Sequence, residues 1–376
     1  MKRILFFHQG RIADWAGAIH RGILGQFPSA EIINFDLHRI LKARPDLIVK
    51  NLIAAVGRYG GDLLLGKRDL DDAFFTTPYV FQEIRKISRE IHEKYPSDFS
   101  FQVHSMHDHS SNERPHFVYT DFTYENCKLS SSYGRFKWAP TRANELIELE
   151  FGIYQRSNCT FSQTQSVASM LMQKYEIPEN NVLNVKYGPN LSKDLLNSVG
   201  VGLDRYHSKT IIFVGGDWNR KGGPDLMAAF SLLRREIPDA KLLVIGCNPE
   251  CDPAVAEVVG KIPLDSLVDY YARAAVFCMP SKLEPSASVY VEAMHAGLPV
   301  VALRSEPTSE LVVEGVTGHL VSSGDIQGLA DKLAALLLSP VKCREMGINA
   351  RKFVECNYTW ENTFKCVGDR IRKVLD

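Results

Sequence analysis

Glu284 and Glu292 stand eight residues apart in the run Pro280-Ser281-Lys282-Leu283-Glu284-Pro285-Ser286-Ala287-Ser288-Val289-Tyr290-Val291-Glu292-Ala293-Met294. Two carboxylates at that interval can accept hydrogen bonds from hydroxyl groups at the two ends of one polar ligand. The run reads as a strand end, a polar turn and the opening turns of a helix, with Ser286 or Ser288 available as its cap. Eight helical residues rise about 12 Å, the length of a sugar, a diphosphate and a ribose laid end to end. Free N–H groups at the helix start then face the phosphates between the two acids. The plain alternative is a solvated helix carrying two surface acids, and the pair alone does not decide between the two.

A second cluster has the complementary charge: Val214-Gly215-Gly216-Asp217-Trp218-Asn219-Arg220-Lys221-Gly222-Gly223-Pro224-Asp225. Glycines let the backbone approach a ligand closely, and Arg220 and Lys221 set two cations beside a helix that Pro224 and Asp225 would open. Such a place suits an anion, and a diphosphate fits it well. It is not a Walker loop, because the order is wrong and no Ser or Thr follows the lysine. A glycine-rich turn with two solvated cations is the alternative here. The turns Val244-Ile245-Gly246-Cys247-Asn248 and Gly260-Lys261-Ile262-Pro263-Leu264 offer backbone groups to a nucleotide base, each weakly by itself.

Other chemistry-bearing residues have duller readings. His104, His107 and His109 lie within six residues and have zinc-binding side chains, but no fourth ligand is fixed by the sequence, and a polar loop on the rim of a site is expected instead. Asp69-Leu70-Asp71-Asp72 follows Lys67 and Arg68 with no buried strand before it, and reads as a helix start. Cys247 and Cys251 have no second pair at zinc-ligand spacing, and the eight cysteines read as free thiols of a reducing cytosol.

These residues need a scaffold, and the C-terminal half supplies a clear one. Apolar runs at 210–214, 241–245, 275–279 and 298–302 alternate with amphipathic stretches at 225–236, 264–274 and 289–296. That alternation implies a parallel sheet covered on both faces, with ligands at the carboxyl ends of the strands. The N-terminal half shows buried strands at 4–8, 117–119, 158–161 and 182–186, and residues 189–206 read as an interdomain linker. Residues 47–65 are long and apolar, broken by Lys50, Arg58 and Asp62 and containing Gly57, Gly60 and Gly61. A mostly buried helix followed by a glycine turn is expected there, with a surface lying on a membrane as the alternative. A closing helix is expected over 359–375.

A length of 376 residues points to two domains, and 44 basic against 44 acidic residues give no reason to expect nucleic acid as a partner. No run of 18 apolar residues exists to span a membrane, and the first apolar run is too short for a signal peptide. A cytoplasmic location is expected, with attachment to the inner face of the membrane left open.

Taken in order, the glycine turn with Arg220 and Lys221, Gly260-Lys261-Ile262, Pro280-Ser281, Glu284 with Glu292, Gly297-Leu298-Pro299-Val300-Val301 and Glu310 with Gly318 form a specific set. The set resembles the retaining family-4 glycosyltransferases of the GT-B fold (glycosyl transferases group 1), closely over 210–360. The likeness extends into the N-terminal half through Lys174-Tyr175-Glu176-Ile177-Pro178 and Tyr187-Gly188-Pro189-Asn190. It implies an α/β chain of two Rossmann-like domains facing each other across a cleft: an acceptor domain over 1–195, with 360–376 crossing back to it, and a donor domain over 205–359.

The implied activity is transfer of a sugar from a nucleoside diphosphate sugar, UDP favoured over GDP, to an acceptor hydroxyl. Retention at the anomeric carbon, with no metal and no cofactor, belongs to the same implication. The resemblance places Arg220 and Lys221 on the diphosphate, Glu284 on the donor sugar and Glu292 on the ribose. Gly215, Gly216, Gly260, Lys261, Ile262, Ser286, Ala287 and Ser288 line the nucleotide, and Gly17 is matched to a glycine loop closing over the diphosphate. Many members carry a histidine after an N-domain strand; here Asp121, or a nearby histidine, is matched to it. The chain departs from the family at Pro285-Ser286-Ala287 and at Ser305-Glu306-Pro307-Thr308, which puts the sugar pocket's shape in doubt more than the nucleotide site.

The acceptor stays open among carbohydrate, lipid-linked and small-molecule hydroxyls, with bacterial polysaccharide, glycolipid or glycoconjugate synthesis as the setting, and so does peripheral membrane contact. A nucleotide-sugar epimerase and a catalytically silent glycosyltransferase-like binding subunit are the rival readings. The second usually loses the basic pair or a motif glutamate, whereas this chain retains all four residues.

Overall fold

The computed structural model describes residues 2–9, 13–127, 132–133, 136–137, 143–284 and 287–376. The chain divides into two compact units, one made of Met1–Lys186 with Glu361–Asp376 and the other of Tyr187–Trp360.

The N-terminal unit is built on β1 (Arg3–His8), β2 (Glu31–Asp36), β3 (Phe99–Val103), β4 (His116–Thr120), β7 (Cys159–Ser162) and β8 (Val182–Asn184), while β5 (Ser132–Tyr133) and β6 (Phe136–Lys137) form a separate antiparallel pair. Its six strands lie in the order β2-β1-β3-β4-β7-β8, and every neighbouring pair is parallel. The interiors of β1, β3, β4 and β7 are buried, as expected for strands covered on both faces.

The C-terminal unit repeats the plan with β9 (Thr210–Val214), β10 (Lys241–Ile245), β11 (Ala256–Gly260), β12 (Val276–Cys278), β13 (Val300–Leu303) and β14 (Gly318–Val321). Its order is β11-β10-β9-β12-β13-β14, again parallel throughout. The chain therefore reverses its direction of travel across the sheet between β9 and β12, and in such sheets the crevice at that reversal is where ligands bind. The two units are Rossmann-like domains.

Three expectations are corrected. Residues 189–206 are not a bare linker: they form the short helices Lys193–Ser198 and Leu203–Tyr206, and Leu191, Leu196, Val199 and Tyr206 join the core of the C-terminal unit. The two ends of the C-terminal unit lie against each other, since Trp360 Nε1 donates to the Pro189 carbonyl at 2.8 Å and a Cβ on Gly188 would stand 2.6 Å from the Trp360 ring. Residues 47–65 are not a buried helix ending in a glycine turn. One helix, Pro45–Leu64, runs through all three glycines; it buries only Leu47, Asn51, Ala55 and Tyr59 and leaves Val49, Ile53, Val56 and Leu64 exposed. The histidine cluster, expected on a rim, is largely core: His107 packs against Phe81 (ring centroids 4.6 Å apart) and His109 stacks on Phe7 (4.7 Å). Burial pushes their pKa values down to about 3 and about 4, so both are neutral rings.

Asp69 does start a helix, its Oδ1 accepting from Asp72 N at 2.7 Å ahead of Leu70–Phe75. The last helix, Trp360–Leu375, packs on the helix Ala13–Gln26 of the N-terminal unit: a Cβ on Gly22 would overlap the Phe364 ring, and Arg372 Nη1 donates to the Gln26 carbonyl at 3.2 Å. Among the described residues no helix is long and apolar enough to cross a membrane.

Candidate active site

The carboxyl ends of β9, β10 and β11 carry glycines that are required by contact. Gly246 has φ +95° and sits against the Gly215 carbonyl, and its N–H donates to the carbonyl of Gly260, itself at φ +77°, at 2.7 Å. A side chain at either position would be strained. Lys261 is exposed and Ile262 half-buried just beyond β11, and Gly216 has nothing nearer a Cβ position than Gly246 O at 3.9 Å. These turns leave backbone open along one edge of the sheet.

The turn after β9 is held against the segment after β12. Gly222, at φ +78°, lies so close to the Pro280 carbonyl that a Cβ would stand 1.9 Å from its oxygen. Lys282 N donates to the Arg220 carbonyl at 2.9 Å, and Arg220 Nη1 donates to the Leu283 carbonyl at 2.6 Å. This lacing brings Lys221 Nζ to 3.1 Å from Glu284 Oε2, with only 12% and 7% of the two side chains exposed. The lysine stem lies across Gly215, where a Cβ would stand 2.4 Å from Lys221 Cδ. Adjacent Arg220 and Lys221 and the sequence-distant Glu284 are thus one cluster at the strand reversal.

Glu292 sits on the helix Ser288–His295 and is 1% exposed. Its Oε1 accepts from Asn190 N at 3.1 Å, while Oε2 has no hydrogen-bond partner among the described residues. Burial is the main reason its pKa is pushed up to about 7, well above the usual carboxylate range. Asn190 and Tyr271, which is fully buried beside this carboxyl, were invisible as site residues because their roles arise from tertiary contact alone.

The spacing argument needs correction. Glu284 precedes the helix, so only the four steps from Ser288 to Glu292 climb it, about 6 Å rather than about 12 Å. Nor is the helix capped by a serine. Its N-cap is Ala287, in the left-handed conformation (φ +47°, ψ +32°) with no side-chain hydrogen bond; Ser286 lies outside the described residues. The first N–H groups, from Ser288 onward, have no acceptor within the helix. An L-residue held left-handed costs about 1–2 kcal/mol, so Ala287→Gly is expected to raise unfolding stability by about 1 kcal/mol. A thermal melt of the variant checks this, and an unchanged or lower Tm would show that the residue is not strained.

Asp121 and Gly17 belong to the N-terminal unit. Asp121 follows β4, and its Oδ1 lies 3.2 Å from Nδ1 of His104, which follows β3 with φ +66°. The two alternatives for one role, an aspartate or a nearby histidine, are therefore a pair. Gly17 is not in a loop: it lies inside the helix Ala13–Gln26, and the segment joining that helix to β1 includes residues 10–12, which are outside the described residues. Among the described residues no group of three or more His, Cys, Asp or Glu side chains is placed to hold a metal ion.

Two parallel sheets of this kind, one with Lys221 paired to Glu284 at its reversal, are the two halves of a GT-B glycosyltransferase fold. Residues 204–353 match the family model described as glycosyl transferases group 1, so this stretch is a group 1 glycosyltransferase domain. Over 174 residues the chain is 34% identical to the GDP-mannose-dependent alpha-(1-6)-phosphatidylinositol monomannoside mannosyltransferase of Mycolicibacterium smegmatis, covering 42% of this chain and 44% of that one. Over 185 residues it is 34% identical to the D-inositol 3-phosphate glycosyltransferase of Corynebacterium urealyticum, covering 44% and 43%. The chain thus spans less than half the length of these curated relatives. Whole-chain likeness is found in structure: sucrose-phosphate synthase from Thermosynechococcus elongatus superposes with a TM-score of 0.68 at 16% identity, covering 100% of this chain and 99% of that one. Anabaena Alr3699/HepE in complex with UDP superposes with a TM-score of 0.64 at 14% identity, covering 99% and 100%. At these identities the likeness shows the fold.

Proposed function

We infer that this protein transfers a glycosyl residue from a nucleoside diphosphate sugar to an acceptor hydroxyl, with retention of anomeric configuration. The observation that carries the reading is the Lys221–Glu284 pair, shielded from water and laced over a glycine turn where the sheet reverses. Glu292 supports it, because a sealed carboxyl with one oxygen unpartnered suits a ligand hydroxyl. In this reading the bond from the anomeric carbon to the diphosphate breaks and the acceptor oxygen attacks the same face. The acceptor's proton passes to the departing phosphate oxygen. Arg220 and Lys221 neutralise the charge that develops there, which is where fixed positive charge contributes most. Glu284 releases Lys221 to the diphosphate and accepts from the sugar's hydroxyls, Glu292 accepts from the ribose, and the opening amides of Ser288–His295 face the phosphates. Because side-chain cations do the neutralising, turnover is expected to survive a metal chelator.

The acceptor is proposed to be a carbohydrate or lipid-linked hydroxyl, since matched relatives are named for phosphatidylinositol mannoside and inositol phosphate substrates. The preference for UDP gains no support from those relatives, one of which is named GDP-mannose-dependent, whereas the Anabaena neighbour is described with UDP. Both nucleotides therefore enter the test. A thermal-shift panel of UDP, GDP and their sugars is expected to raise Tm for one base, because a ligand bound only by the folded state adds about 2.7 kcal/mol at a hundredfold excess over Kd. If neither nucleotide moves the transition, the donor-site assignment is wrong.

A further inference from the structure

The helix Pro45–Leu64 leaves an apolar stripe exposed on its outer face. Among the described residues, six of the twelve large hydrophobic side chains left exposed lie between Val49 and Leu70: Val49, Ile53, Val56, Leu64, Leu65 and Leu70. The face turned inward carries Leu47 and Ala55 together with two polar side chains that are tied down. Asn51 is fully buried and donates to the Phe74 carbonyl at 2.7 Å while accepting from Thr77 Oγ1; Tyr59 donates to the Thr76 carbonyl at 2.8 Å. The Arg68 guanidinium lies 4.2 Å over the Tyr59 ring and is paired with Asp72 at 2.8 Å, with 1% and 3% of those side chains exposed.

These ties fix the rotation of the helix about its axis. Turning it by one residue, about 100°, would pull Asn51 and Tyr59 off their carbonyl partners. The apolar stripe thus faces outward by specification. Gly57, Gly60 and Gly61 have nothing within 4 Å of a Cβ position, so larger side chains would fit there, and their absence leaves the aliphatic ones standing proud. Leu64 is 90% exposed and Leu65 69%, which describes a protruding tip.

Charge decides what covers it. Lys50 lies near one end of the stripe and Lys67 just past the other; both are exposed, and among the described residues neither is ion-paired. Asp46 holds Arg44 through two 3.0 Å bonds, Asp69 caps the next helix, Asp62 is half-buried and Asp71 is exposed beside Leu70, while Arg58 of the helix is paired with Glu145. An apolar ridge with a free ammonium at each end is complementary to a bilayer whose headgroups are anionic: the aliphatic tips enter the acyl boundary and the lysines meet phosphates. No described helix is long and apolar enough to span the bilayer, so the contact is a surface one.

We propose that Val49–Leu70 is a membrane-docking face that seats the N-terminal unit on an anionic lipid surface. This deepens the functional reading above, because an enzyme held there meets an acceptor carried on a lipid. The test is co-sedimentation of the full chain with phosphatidylcholine vesicles, with and without phosphatidylglycerol. Wild type is expected to partition onto the anionic vesicles and much less onto the neutral ones. Combining Ile53→Glu, Leu64→Glu and Leu65→Glu, all at exposed positions, is expected to weaken partition at least about tenfold, with the wild-type response to nucleotide in the thermal-shift panel retained. Leu64→Trp guards against misfolding of that variant, since its emission is expected to shift to the blue on anionic vesicles.

Three results would overturn the proposal: wild type staying in the supernatant, tryptophan emission that vesicles leave unmoved, or a dimer in light scattering that the glutamate variant dissolves. The last assigns the face to a second copy of the chain. A wild type that binds vesicles but no nucleotide would instead remove the donor-site reading and leave the docking face in place.

Discussion

Replacing Lys221 by methionine is expected to lower kcat by about 10²–10³-fold, the usual effect of removing one preorganised group that stabilises charge in the transition state. The same substitution also costs stability, because it leaves Glu284 in a shielded position without its 3.1 Å partner. Breaking one half of a buried pair costs about 3–5 kcal/mol, and the partial exposure of these two side chains puts this case at the lower end. The two effects separate in the combined variant Lys221→Met with Glu284→Gln. Removing both charges restores most of the lost Tm, since no carboxylate is left uncompensated, yet turnover stays low. Steady-state kinetics at a temperature where circular dichroism shows every variant folded makes the comparison. Near-wild-type turnover in either variant would take the diphosphate role away from Lys221.

Nucleotide affinity is expected to rise with pH across neutrality. Glu292 titrates at about 7 in the unliganded protein because burial disfavours its charge. Ribose hydroxyls donate hydrogen bonds, so they favour the carboxylate and pull its pKa down on binding. Below the unliganded pKa, binding must first expel a proton, which weakens affinity by up to about tenfold per pH unit. Calorimetry in buffers of different ionisation enthalpy is expected to show proton release near neutral pH. Glu292→Gln is expected to abolish that release and to cost about 1–3 kcal/mol of binding. A pH-independent wild type would show that the ligand does not engage this carboxyl.

The same group makes the empty protein less stable as pH rises. Its folded pKa lies above the unfolded value near 4.5, so its contribution is complete below about 4.5 and is lost as pH climbs through about 7, a swing on the order of 3 kcal/mol. Glu150, fully buried in the N-terminal unit and also raised to about 7 despite donors on Ser105, Tyr124, Tyr154 and Tyr175, acts in the same direction. Bound nucleotide offsets the share due to Glu292 only.

Strands β9, β10, β12 and β13 were legible in the sequence because central parallel strands are continuous apolar runs. The edge strands β2 and β11 carry no such mark: β2 is half-exposed along its length and β11 has Glu257 exposed as its second residue. Strand β3 was hidden for another reason. Its Ser100 and Gln102 are as buried as its phenylalanines, and their polar atoms are satisfied across the sheet by His116, at 2.7 Å and 3.0 Å, so the local pattern reads as alternating when the environment is uniform. His107 and His109 misled in the same way, because only tertiary packing against Phe81 and Phe7 shows a polar-looking run to be interior.

Residue types and order singled out Arg220, Lys221, Glu284 and Glu292 as candidates, and the fold gathers the first three into one cluster. Sequence could not show that Lys221 and Glu284 already hold each other, since that depends on the close approach of Gly222 to Pro280. Nor could it show that Glu292 is sealed. Spacing along a chain measures distance only where the backbone is regular, and half of the interval between the two glutamates is loop.

The helix Trp360–Leu375 has a consequence for the order in which the protein is made. The N-terminal unit needs residues 361–376 to finish its core, where Phe364 covers Gly22 and stacks at 6.5 Å on Tyr119. The C-terminal unit is one unbroken stretch from Tyr187 to Trp360. On the ribosome, the half synthesised first is therefore the half completed last. Its wall over Gly22 stays open to the holding factors that meet a nascent chain until Glu361 to Asp376 leave the exit tunnel, whereas the later half closes as soon as it has emerged.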